Sequence, residues 1–182
     1  MGYYPDTCET EQPIHSCDPC APREKGRIRA IAFVRKGFEF LDRTSLVEWQ
    51  AAVQNKDVIL IPETHGSLSD PTPTLGQGFG SAVEKLLGFQ YSLEFFDPDY
   101  KNNCGFYNAL LLQTSYRLAY ITETLGHMTD VTVTVIPVAP VEDELNSEIT
   151  WKVNVKWEDG QHPCPFDFPT DVLQCYIAAD PS

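Results

Sequence analysis

The sequence predicts a mainly β, α+β fold: an antiparallel β-sandwich or barrel of about six strands with two helices on its flank. Three observations carry this expectation. Leu87, Phe89, Tyr91, Leu93 and Phe95 alternate with Gly88, Gln90, Ser92 and Glu94. A second stretch, Ile149 to Trp157, also places its apolar residues on one face and its polar residues on the other. Period-two alternation of this kind marks a half-buried strand. Finally, helical periodicity is confined to two segments that do not alternate regularly with strands, so a parallel βαβ arrangement is not expected.

Taken in order, residues 1–25 read as an extended arm, with four prolines, three cysteines and few large aliphatics. Gly26 to Lys36 (GRIRAIAFVRK) reads as a strand, rich in apolar and β-branched residues and bounded by Gly26 and Gly37. Ser45 and Glu48 have the spacing of a capping box. The helix they open should run to about Asn55, burying Leu46, Trp49 and Val53. Trp49 at helical spacing with two aliphatics is a core residue rather than a ligand-stacking one. Val58–Thr64 is the next strand, and His65–Gly80 (HGSLSDPTPTLGQGFG) reads as a long Gly/Pro/Thr loop before the alternating strand. Structureless loops of that length are uncommon in compact domains and are usually functional.

Asp97-Pro98 has the form of a helix start, with an N-capping carboxylate and a proline where no amide bond is lost. The helix is expected over Asp99–Thr114, with Cys104 as a small buried hydrophobe. Tyr116–Thr122 and Val131–Ile136 suggest a hairpin turned at Gly126-His127. Asp159-Gly160 should turn the last strand, leaving a tail over residues 162–182 that covers the body or reaches a neighbour. A single domain over residues 26–182 follows.

The formal charge is −13, which argues against gripping nucleic acid. The charge is uneven: seven of the 13 basic residues lie between Arg23 and Arg43, whereas 11 acids face only Lys152 and Lys156 from Glu123 onward. Such asymmetry suits head-to-tail or side-by-side self-association, and equally a solvated basic edge. No stretch of ~18 apolar residues suggests a membrane span. The first residues lack the features of a signal peptide, so synthesis and retention in a cytoplasm are expected.

Chemistry-bearing constellations are few. Cys8, His15, Cys17 and Cys20 contain one C-x2-C knuckle and have the ligand types to close a tetrahedral zinc site, with free thiols as the competing reading. No other cofactor is expected. His15, His65, His127 and His162 stand in separate segments without metalloenzyme spacing. Glu63, His65 and Asp70 offer a base and orienting groups without a nucleophile turn, so a small hydrolase is the weakest reading and the chain is expected not to be an enzyme. Gly76, Gly78 and Gly80 match neither phosphate-loop pattern and precede a strand rather than follow one. The loop instead reads as a docking arm, with His65, Gly66, Leu68, Asp70, Leu75, Gly76, Gly78, Phe79 and Gly80 as inter-subunit contacts. A binding module gripping a protein partner through residues 65–80 is the alternative.

The element order, together with Gly26–Val34 (GRIRAIAFV), Ile61–Gly66 (IPETHG), Cys104–Asn108 (CGFYN) and Trp151–Trp157 (WKVNVKW), resembles the tail-tube-type structural proteins of tailed bacteriophages. The phrases themselves are similar to structural proteins of Bacteroidetes-infecting, crAss-like phages. The resemblance spans about residues 26–160. It implies a tail-tube-like fold in a virion protein of the tail tube or head–tail neck, assembled in the host cytoplasm. That protein would form a homo-oligomeric ring, hexameric or dodecameric, around the DNA path and contact neighbouring virion rings or tail proteins. DNA would pass the acidic lumen without specific binding, and no membrane would be involved. The arm of residues 1–25 has no counterpart in this resemblance.

Overall fold

The computed structural model describes residues 15–80, 83–112 and 115–173. Two open antiparallel sheets stack face to face as a sandwich, so the barrel alternative does not hold. The first sheet contains β1 (Ala30–Arg35), β2 (Val58–Ile61), β6 (Tyr116–Ile121), β7 (Leu125–Met128) and β10 (Phe166–Asp167), in the order β10-β7-β6-β1-β2. The second contains β3 (His65–Leu68), β4 (Thr72–Gly76), β5 (Lys85–Asp97), β8 (Thr134–Val138) and β9 (Trp151–Asp159). Its order is β3-β5-β9-β8, and β4 pairs with the N-terminal part of β5. The two longer helices are α1 (Leu46–Gln54) and α2 (Cys104–Leu111), and residues 171–173 add one helical turn.

β1 and β6 are buried on both faces, which explains their nearly continuous apolar sequences AIAFV and LAYI. One face contributes Ile31, Phe33, Leu118 and Tyr120 to the core between the sheets, opposite Tyr91, Leu93, Phe95, Val153 and Val155. The other face contributes Ala30, Ala32, Val34, Ala119 and Ile121 to a second core beneath α1 and the C-terminal segment. Trp49 anchors that second core: its ring stacks on Phe40 at 4.4 Å, meets Phe168 edge-on at 4.9 Å, and its indole N–H donates to Arg43 O at 2.8 Å. Burial of each such large side chain stabilises by ~1.5–3 kcal/mol.

Several expectations are corrected. The stretch 65–80 is not one structureless loop: β3 and β4 take up most of it and both hydrogen-bond to β5, end to end along one edge, leaving 69–71 and 77–80 as connections. β6 turns into β7, and Gly126 and His127 lie within that strand rather than in a turn. β8 crosses to the other sheet and pairs with β9, so it is not the hairpin partner of β6. α2 starts at Cys104, seven residues after Asp97, and Cys104 is exposed. Asp97 ends β5 instead of capping the helix. Its buried carboxylate accepts from Asp99 N at 3.0 Å, Asn103 Nδ2 at 2.8 Å and the Tyr107 hydroxyl at 2.7 Å. The capping box of α1 is half formed. Glu48 N donates to Ser45 Oγ at 3.4 Å, but the Glu48 carboxylate turns to Leu41 N and Asp42 N. Trp49 and Ala52 are its buried residues, with Leu46 and Val53 packed beside them. Residues 162–173 lie over the body, placing Phe166, Phe168, Val172 and Leu173 on the second core.

Candidate functional site

β5 is 13 residues long, and its register decides the shape of the candidate site. Phe89 is its first residue to pair with β9, opposite Asp159. Lys85 to Gly88 therefore extend past the last β9 pair with β4 beside them, a projection of roughly 14 Å at ~3.4 Å per residue, and Gly88 still abuts Asp159 and Gly160. Asp159-Gly160 marks the point where β9 turns away. Beyond it stands a two-stranded β-arm, β4 and the start of β5.

The tip of this arm is apolar and in solvent. Phe79 is 94% exposed, Val83 84%, Leu87 66% and Leu75 54%, with Leu86 also exposed. Two local features shape it. The pairing slips between Thr74 and Leu75, so Leu87 is an extra residue on β5. The absence of a side chain at Gly76 makes room for it, since a Cβ there would meet the Leu87 side chain at 3.1 Å. Gly80 adopts φ +65°, a left-handed turn conformation that favours glycine.

The predicted contact residues thus divide into two groups. Leu75, Gly76, Gly78, Phe79 and Gly80 belong to the projecting arm and its turn. His65, Gly66 and Leu68 are sheet residues of β3, and Leu68 packs against the main core. Gly66 has a packing role: a Cβ would meet Glu94 O at 2.4 Å and Phe95 Cβ at 2.9 Å. Asp70 is exposed in the connection between β3 and β4. The reading of the sequence missed Val83 and Leu86 as tip residues and placed Leu87 on the buried face of the alternating strand. The slipped pairing and the end of β9 leave Leu87 in solvent instead, which no local alternation displays.

At the other end of β5 lies a cleft of about 610 Å³, lined by Arg27, Arg29, Glu63, His65, Phe96 and Thr150 among others. Thr64 holds its base where the chain crosses between sheets, its N–H donating to Arg29 O at 3.0 Å and its hydroxyl to Phe96 O. His65 stacks on Phe96 at 5.0 Å. Arg29 donates to Glu123 O at 3.2 Å, and neither Arg27 nor Arg29 makes an ion pair among the described residues. Glu63 and His65 share this cleft, but Asp70 is not among its lining residues, so the three hydrolase candidates are not brought together there.

Of the zinc candidates, Cys8 lies outside the described residues. His15 Nδ1 and Cys17 Sγ approach to 3.3 Å, and Cys17 and Cys20 are exposed. Among the described residues no three of His, Cys, Asp or Glu converge as a metal site. Glu24 is the anchor of the N-terminal segment. Its carboxylate accepts from Thr124 N at 2.6 Å, Thr124 Oγ1 at 2.8 Å and Thr122 Oγ1 at 2.9 Å. These bonds, led by those from Thr124, lower its pKa to about 2.

Comparison with protein families, with curated proteins and with solved structures found no match. Among the described residues, no helix is long and apolar enough to cross a membrane.

Proposed function

We propose that this chain is a structural subunit that assembles with copies of itself, as a ring-forming component of a phage tail tube or head–tail neck around the DNA path. The observation that carries the self-assembly is the projecting β-arm. A two-stranded hairpin is marginal in water by itself, and one that exposes Leu75, Phe79, Val83 and Leu87 in one tip gains most when another surface covers them. The neighbour in this reading is a second copy, met end to end through the arm. The acidic excess supports the DNA-path role, because a negative wall repels a passing polyanion rather than retaining it.

Sedimentation velocity with negative-stain imaging of the purified chain tests the reading. Closed rings or stacked tubes are the expected result. A strict monomer at high concentration overturns it and returns the arm to a gripping element for a different protein. A zinc knuckle in the N-terminal segment would add a clamp to such an assembly, and metal analysis of the purified chain decides it: stoichiometric zinc supports the knuckle and its absence removes it.

A further inference from the structure

The end of the molecule opposite the hairpin tip carries a pair of features that complement each other in charge. The first is the Arg27/Arg29 cleft. Arg27 and Arg29 line it together with one carboxylate, Glu63, and Arg23, Glu24 and Lys25 precede them in the same segment. The second is the connection between β8 and β9, where Glu142, Asp143, Glu144 and Glu148 are all exposed. Val141 just before those acids and Leu145 among them stand in solvent, Leu145 completely. Among the described residues, the only side-chain bond to any of the four acids is from Ser147 Oγ to Glu142. Thr150, the last residue before β9, lines the cleft, so the loop and the cleft share one end of the sandwich.

The geometry points to a reciprocal contact in which the acidic 141–148 loop of a second copy enters the Arg27/Arg29 cleft, while its own cleft receives the first copy's loop. Because both elements lie at the same end, a two-fold axis satisfies both contacts at once, as an isologous interface requires. Guanidiniums and carboxylates that make no ion pair among the described residues meet, and the two exposed aliphatics are covered with them. Charge complementarity of this kind sets register and partner choice more than bulk affinity. The contact rests on the self-assembly proposed above. It adds a junction at the cleft end, leaving the hairpin tips of such a pair pointing outward.

The test uses the full chain with Phe79→Ser and Leu87→Ser, which silence the hairpin contact, as the background. In it, the cleft is reversed by Arg27→Glu with Arg29→Glu, and the loop by Glu142→Lys, Asp143→Lys and Glu144→Lys. Circular dichroism and thermal unfolding confirm that each variant folds, as expected for changes at exposed or half-exposed positions. In sedimentation velocity the background chain forms dimers that dissociate in about 0.5 M salt, where screening shortens to a few ångströms. Each reversed variant alone dimerises at least about tenfold more weakly. An equimolar mixture of the two restores the dimer, since each cleft then meets a loop of opposite sign. A loop that folds back on its own cleft gives no such recovery, so failure of the mixture overturns the contact. So does a background chain that is monomeric, or reversed variants that associate normally. If the parent chain forms rings while the hairpin-silenced chain is monomeric, this contact falls and the ring reading stands. If the hairpin-silenced chain dimerises as described and the parent forms nothing larger, the contact stands and the ring reading falls.

Discussion

Gly66 shows how one missing side chain sets the distance between strands. A methyl group there would overlap the backbone oxygen of Glu94, which cannot swing aside as a long side chain can. Gly66→Ala is therefore expected to lower stability by about 1–3 kcal/mol, measured by chemical denaturation. Tyr107 illustrates the polar counterpart. Burial, reinforced by its bond to Asp97, pushes the phenol well above its ordinary pKa, so it stays a donor at every relevant pH. Tyr107→Phe removes one of three bonds to the buried Asp97 carboxylate and should cost about 1–2 kcal/mol in the same measurement. Glu24 provides a pH test whose sign is fixed. Its folded pKa of about 2 lies below the ordinary 4.5, so the clamp on Thr122 and Thr124 is fully present above 4.5 and is lost as pH falls toward 2. An NMR titration following the Thr124 amide should show its midpoint near 2; a midpoint near 4.5 would mean the carboxylate does not hold that loop.

At the scale of elements, the strands that alternate were legible and those that do not were missed. β5 and β9 each bury one face and wet the other, so their patterns are nearly complete in the sequence. β3 and β4 are exposed along most of their length and are rich in Gly, Pro, Ser and Thr, which reads as loop. They are strands because β5 offers them a hydrogen-bonding edge, a condition no local pattern contains. Pro73 is tolerated because β4 lies at an edge, where a missing donor can face outward. The Asp97-Pro98 signature was real chemistry put to a different use, since Asp97 organises the turn before α2 instead of its first residue. The projecting arm gives the prediction at this scale. Phe79→Ser with Leu87→Ser should leave the melting temperature within the small range typical of surface changes and abolish assembly beyond the cleft-end pair. A fall in melting temperature comparable to a core mutation would show instead that the tip packs within its own subunit.

For the whole molecule, three layers share one central sheet: β-sheet, β-sheet, then α1 with the C-terminal segment. β1 and β6 lie in the middle and are covered on both sides, whereas β4 and residues 85–88 lie farthest from either core. Native-state hydrogen exchange should therefore protect Phe33, Val34, Leu118 and Ala119 to near the global unfolding limit and release the projecting arm first. Protection of the arm equal to that of β1 would contradict the marginal stability on which the docking role depends. His127 adds a whole-molecule pH effect. Burial lowers its pKa, only partly opposed by a backbone hydrogen bond to Tyr120 and the charge of Glu24. The unfolded chain then takes up the proton first, so stability declines as pH falls through about 6.5. His127→Phe, which can keep the 4.7 Å stacking on Tyr120, should flatten the dependence of the melting temperature on pH in that range.

What the amino-acid order determined alone was the mainly β class, the faces of β5 and β9, the buried Trp49 and the uneven distribution of charge. Each of these follows from local periodicity or from counting, and neither needs a partner strand. Tertiary structure alone decided which strands pair, that residues 65–76 hold two strands on one edge, and that Lys85 to Gly88 outrun the pairing with β9 to leave an apolar tip in solvent. It also brought Arg27, Arg29 and Thr150 to one cleft from segments more than a hundred residues apart. The physical reason is common to all of these. Edge pairing and relative strand length depend on non-local hydrogen bonds, which a chain read one window at a time does not display.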